Sequence, residues 1–244
     1  MKKNYKLNSL ISLYISHIFQ KGTIIVFLSS LLLMVTFLII ISSPWIENTT
    51  YLLSANEIHK SYLEQGIFII QVFNSIIIAL LVLQLFINSN SFDTLFISYV
   101  KRKNIVYMKL LSILTILFII ILFEIIILYL IPTLRFSLFK IELENLIIIP
   151  YLVLTLLFEL SISILLSQIF QSIFMPMSVL FVSIILKAIS SINKLKEILS
   201  FFIPIIYIDN MNAKIELKTI IVSSIIIVSS LIIQIKIYEC KDIK

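Results

Sequence analysis

Residues Asn88–Lys109 read NSNSFDTLFISYVKRKNIVYMK and stand between two long apolar runs. The first half is aromatic and aliphatic, with Phe92, Leu95, Phe96 and Tyr99. The second half carries the densest block of positive charge in the chain, Lys101-Arg102-Lys103, with Lys109 following. The runs on either side, Ile67–Ile87 and Leu110–Ile131, each have the ~17–25 residues that cross a hydrocarbon core as a helix. The stretch therefore reads as a loop between two membrane spans. A basic, amphipathic loop in that place suits a docking surface better than a passive linker.

Composition extends this reading to the whole chain. Of 244 residues, 60% are hydrophobic and 13% charged, with mean hydropathy +1.13. Soluble domains carry about 25% charged residues. The expected fold class is all-α, a polytopic membrane protein forming one transmembrane domain over residues 1–244. Too little chain is left outside the spans for a second globular domain. The net charge of +6 lies beside apolar runs, where it orients a membrane protein, and this argues against nucleic acid as a partner.

The residue inventory excludes several chemistries. A single cysteine, Cys240, leaves no intrachain disulfide and no multi-cysteine metal site, and His17 and His59 are far apart, so no metal is expected. Gly22 and Gly66 are the two glycines. A Walker A loop needs more, so no nucleotide or other cofactor site is expected in this chain. There is no His-Glu-x-x-His or Gly-x-Ser-x-Gly motif, and an enzyme is not expected.

Six spans are expected: Thr23–Ser43, Ile67–Ile87, Leu110–Ile131 ending at Pro132, Leu146–Ser167 with Pro150 in its first turn, Pro176–Ile192, and Thr219–Ile237. Residues 170–175 make a tight uncharged turn. Residues 44–66, 132–145 and 193–218 are the loops on the far side. Ahead of the first span, Ser9–Gln20 sets Ser9, Ser12, Ser16 and Gln20 on one side and Leu10, Leu13, Tyr14 and Ile18 on another. This is the pattern of an interfacial helix, with an extended start to the first span as the alternative. Within the last loop, Ile198–Ile208 (ILSFFIPIIYI) is apolar but too short to span, and reads as a short helix or re-entrant turn.

Charge sets the orientation. With both termini on one side, the segments on that side hold eleven Lys/Arg and three acidic residues, against seven and eight on the other. The Lys/Arg excess puts both termini, and the loop 88–109, in the cytoplasm of a cell-membrane protein.

Three ionisable residues fall inside spans: Glu124, Glu159 and Lys187. In the fourth span Thr155, Glu159, Ser163, Ser167 and Gln171 recur every four residues, and Ser183, Lys187 and Ser190 make a shorter stripe in the fifth. Gln71, Asn74 and Ser75 cluster towards the outer end of the second. Such groups must face protein or water. Two readings stand: Glu124, Thr155, Glu159, Ser163 and Lys187 line a translocation path or subunit interface, or they make interhelical hydrogen bonds, with a carboxyl protonated or paired to Lys187.

The loop also carries a resemblance. Thr94-Leu95, Tyr99-Val100-Lys101-Arg102, Ile105-Val106 and Lys109 resemble the equivalent loop in the membrane subunits of type-2 ABC exporters. There a Thr-Leu is followed by Pro-Val-Ser-Arg, a hydrophobic pair and a lysine opening the third span. Asp93 stands where that family commonly has glycine, and Tyr99 where it has proline. The layout is similar over nearly the whole chain: an elbow helix (9–20), six spans with both ends inside, and a short apolar element between spans five and six.

The resemblance implies a permease subunit without its own ATPase. It would pair with a second permease subunit, as homodimer or heterodimer, and with separate cytoplasmic ATP-binding subunits that supply ATP and Mg. Residues 90–103 would be the coupling helix. Phe92, Thr94, Leu95, Phe96 and Tyr99 would dock on the ATPase, with Lys101, Arg102 and Lys103 pairing with its acidic groups or with anionic lipid heads. The expected cargo is hydrophobic or amphipathic (peptide, drug or lipid-like). The residues also leave open an ATPase-independent ion- or proton-coupled carrier or channel using Glu159 or Glu124.

Overall fold

The computed structural model describes residues 7–19, 21–42, 55–88, 93, 100–135, 146–189, 203–209 and 212–240. In chain order these form α1 (Leu7–Ile18), α2 (Lys21–Ile41) and α3 (Ala55–Val82), which continues into a π-helical turn at Leu83–Ile87. There follow α4 (Arg102–Arg135), α5 (Ile148–Phe170), α6 (Phe174–Ile189), the short strands β1 (Tyr207–Asp209) and β2 (Asn212–Lys214), and α7 (Leu217–Cys240).

Among the described residues five helices, α2, α3, α4, α5 and α7, are long and apolar enough to cross a membrane, with mean hydropathy from 2.2 to 3.1. The chain is a multi-pass membrane protein. In lipid a helix satisfies its backbone polar groups internally, so uniformly apolar segments of this length fold as helices. The helix α6 has 16 residues, about 24 Å at 1.5 Å per residue.

Helix α3 is the axis of the bundle: it touches α2, α4, α5 and α6, and its apolar window is 67% buried, against 17% for α2 and 22% for α7. The outer helices turn bare hydrocarbon outward, as at Leu32 and Ile25 of α2, Ile119 and Ile126 of α4, and Ile225 and Val228 of α7. These faces are solvated by lipid tails, and the packed cores lie against α3. Gly66 of α3 permits one close approach: a Cβ there would come within 2.5 Å of Leu128 in α4 and 3.5 Å of Leu38 in α2.

Helix α1 is separate from α2, with a turn at Phe19, and it packs on α4 with Tyr14 and Ile18 buried. Ser12 and Ser16 are exposed, as the residue pattern implies. The uncharged turn falls at residues 171–173, where Gln171 takes a left-handed conformation (φ 49°) and its N–H closes on the Ser167 carbonyl.

Three boundaries differ from the sequence expectation. Residues 55–66 are helical, so α3 begins twelve residues before Ile67 and the described part of the presumed loop extends the span. Pro132 does not end the third span but lies inside α4. A proline cannot donate to the carbonyl four residues back, which here belongs to Leu128. The hydroxyl of Tyr62, in the early part of α3, donates to that carbonyl at 3.0 Å, so the early turns of α3 supply what the proline withholds. Finally, Ile203–Ile208 contains no helix. Pro204 and the β-branched isoleucines beside it favour extended backbone, and Tyr207, Ile208 and Asp209 pair antiparallel with Lys214, Ala213 and Asn212. Residues 198–202 of the expected element lie outside the described residues.

Candidate functional site

Among the described residues two polar clusters are buried. The first closes the end of the bundle where α1, the end of α3, the start of α4 and the end of α7 meet. Asp93 and Lys109 form an ion pair through Asp93 Oδ2, and neither side chain has any exposure. Tyr14 of α1 donates its hydroxyl to Asp93 Oδ1 at 3.0 Å, and Tyr238 of α7 donates to Oδ2 at 2.6 Å. The Lys109 ammonium lies 5.3 Å from the ring centroids of Phe86 and Tyr238 and 5.9 Å from that of Tyr14.

A charge pair out of water is tolerated when geometry is good and its lone pairs are satisfied. Here two phenol donors and three ring faces do that work. Burial, reinforced by the Asp93 charge and hydrogen bond, pushes the Tyr14 hydroxyl well above the ordinary tyrosine range, so it remains a donor. The result ties Asp93, between α3 and α4 in the chain, to α1 and α7. Beside it, Arg102 Nη1 donates to the backbone carbonyl of Glu239 at 3.0 Å, satisfying an open carbonyl at the C-terminus of α7.

The second cluster is a polar layer across four helices. Because α3 begins at Ala55, Gln71, Asn74 and Ser75 lie near the middle of the combined helix rather than near its outer end. Asn74 donates to Glu124 Oε2 of α4 at 2.8 Å. Around the same turn of α3, Lys187 of α6 donates to the Gln71 carbonyl at 3.2 Å, to Ser75 Oγ at 2.8 Å and to Glu159 Oε2 of α5 at 2.9 Å. Glu159 and Lys187 are therefore an ion pair, whereas Glu124 is fully buried against Asn74 and takes no part in that pair. Gln234 of α7 joins α5 by donating to the Ser161 carbonyl at 2.7 Å.

A cavity of about 280 Å³ opens between α5 and α6, closed partly by Ile203 and Pro204. Thr155, Glu159, Ser178, Ser183 and Lys187 are its polar wall, and the rest is apolar.

The residues named from sequence thus separate into groups. Glu159, Lys187 and Thr155 come together at the cavity. Ser163 is buried in α5 with no hydrogen-bond partner for its hydroxyl among the described residues, and Glu124 pairs with Asn74 away from the cavity wall. Lys101 and Lys103 are exposed, while Arg102 is half-buried against α7. Phe92, Thr94, Leu95, Phe96 and Tyr99 lie outside the described residues. Sequence reasoning missed the Asp93 cluster. Its signal was a lone acid in a basic loop, set against a lysine displaced from the basic triplet.

Compared with known families and characterised proteins, the chain matches no family model and no curated sequence.

Proposed function

We propose that this chain is the permease subunit of an ATP-dependent exporter of the ABC type. It has six spans, an interfacial elbow helix in α1, and both termini in the cytoplasm. The observation that carries the reading is the Asp93 cluster. A loop that receives force from an ATPase must be fixed to the helices it moves, and Asp93 is tied to α1, α4 and α7 at once. Docking must also discriminate between two ATPase states, since equal binding to both transmits nothing.

The sixth span of this reading is the connection from α5, which ends at the same end of the bundle as Asp93, to α7, which starts at the opposite end; within it α6 reaches the depth of Gln71 and Ser75. In this reading Phe92–Tyr99 dock on a cytoplasmic ATP-binding subunit, Lys101 and Lys103 meet its acidic groups or anionic lipid, and a second permease copy or homologue completes the pathway. The exporter is tested by co-expression with a candidate ABC-type ATPase. The wild-type chain is expected to co-purify with that ATPase and support ATP-dependent efflux. Phe96→Asp with Tyr99→Asp is expected to abolish both; efflux and assembly that survive the pair sink the coupling assignment.

One observation favours a second reading, an ATPase-independent carrier: the Glu159–Lys187 pair borders the cavity. Its test is Glu159→Gln. Loss of pH-dependent uptake with no ATPase present supports the carrier, and unchanged transport removes it.

A further inference from the structure

The cavity between α5 and α6 has a property visible only when its protons are assigned one by one. An ammonium has three N–H donors, and those of Lys187 match three acceptors, the Gln71 carbonyl, Ser75 Oγ and Glu159 Oε2. The Thr155 hydroxyl donates to the Leu152 carbonyl at 2.8 Å, and that of Ser178 to the Phe174 carbonyl at 2.9 Å. Ser75 spends its single proton on the Gln71 carbonyl at 2.9 Å. Ser183, 3.5 Å from Ser75 Oγ, is therefore the donor of that pair.

Every polar proton of the wall is directed into protein. What remains for an occupant is lone pairs: those of Thr155 and Ser178, and Glu159 Oε1, which has no partner among the described residues. The wall is a set of acceptors in an apolar surround. Its formal charges cancel within the Glu159–Lys187 pair, so it needs no counter-ion.

We infer that this cavity binds a hydrophobic molecule whose head is a hydrogen-bond donor, an amine or an alcohol, and rejects one headed by a carboxylate or phosphate. An acceptor head would face acceptors and lose its water without replacement. A donor head would reach Glu159 Oε1 while its body lay on the apolar wall, the arrangement general to small-molecule sites. The inference names the cargo class for the exporter reading and rests on that reading for transport alone; binding needs no ATPase.

The test uses the full chain in lipid nanodiscs with three matched alkyl diazirine probes bearing an amine, a hydroxyl or a carboxylate head. Photolabelled peptides are mapped by mass spectrometry, with empty nanodiscs as the partition control. The amine and hydroxyl probes are expected to label the α5 and α6 peptides roughly tenfold above the carboxylate probe, the discrimination expected of one unmatched buried polar group. Glu159→Gln turns an acceptor into an amide donor beside an unneutralised Lys187, and the preference is expected to swing towards the carboxylate. Val182→Trp fills the cavity without touching the ion pair and is expected to remove labelling by the donor probes. Equal labelling by all three probes marks a lipid-facing crevice and overturns the inference, as does labelling that persists in Val182→Trp. Specific labelling without ATP-driven efflux sinks the exporter reading alone; efflux without specific labelling sinks this inference alone.

Discussion

Replacing Asp93 with Asn leaves the ammonium of Lys109 buried without its counter-charge. Removing one partner of a buried pair costs about 3–5 kcal/mol, so Asp93→Asn is expected to unfold well below wild type in detergent melts. Asp93→Asn combined with Lys109→Met recovers much of the loss, because the second change removes the stranded charge. Equal, additive losses would show that the two side chains do not act as a pair. The neighbouring Tyr14 hydroxyl has a pH consequence. Its proton is held more tightly in the folded state than in the unfolded chain. Its contribution is then complete below the ordinary tyrosine value near pH 10 and is lost as pH rises above it. Melting temperature should decline above about pH 10, and Tyr14→Phe should flatten that decline while lowering stability at neutral pH.

At the scale of elements, α4 shows how a helix passes a proline. Tyr62→Phe removes the donor that replaces the missing N–H at Pro132, leaving the Leu128 carbonyl buried and unpaired, at about 1–3 kcal/mol. With Pro132→Ala in place, the residue 132 amide takes that carbonyl. The cost of Tyr62→Phe should then shrink, and a double-mutant cycle on thermal or denaturant unfolding reads the coupling. This is also where the sequence was least legible. The apolar runs locate every long helix, because a span's length and hydropathy are local quantities. The ends of α3 and α4 were misplaced because the charged residues at 57–64 and the proline at 132 look like terminators until their partners across the bundle are known. The candidate site divides in the same way. Glu124, Glu159 and Lys187 stand out as charges in hydrocarbon, but which acid meets Lys187 depends on helix rotation about α3. Asp93 carries no such mark, because Tyr14 and Tyr238, far apart in sequence, meet on its two oxygens only in the fold.

At the scale of the molecule, the bundle is a buried α3 inside a jacket of helices with lipid-facing exteriors, crossed by a polar layer at mid-depth and closed at one end by the Asp93 cluster. The proposed orientation makes that end cytoplasmic. Cys240, the single cysteine of the chain, is exposed at the end of α7. A membrane-impermeant maleimide is therefore expected to leave Cys240 unlabelled in intact cells and to label it after lysis. Labelling of intact cells would invert the topology and remove the docking loop from the compartment that holds ATP.

The closure at Asp93 has a consequence for biogenesis. Its parts arrive on the ribosome at widely separated times: Tyr14 first, Asp93 and Lys109 later, and Tyr238 well after them. Until α7 has entered the bilayer, Asp93 Oδ2 has no phenol to accept from, Lys109 lacks one of its three ring neighbours, and Arg102 has no Glu239 carbonyl to reach. The nascent chain thus holds the Asp93–Lys109 pair with an incomplete set of partners until α7 is seated.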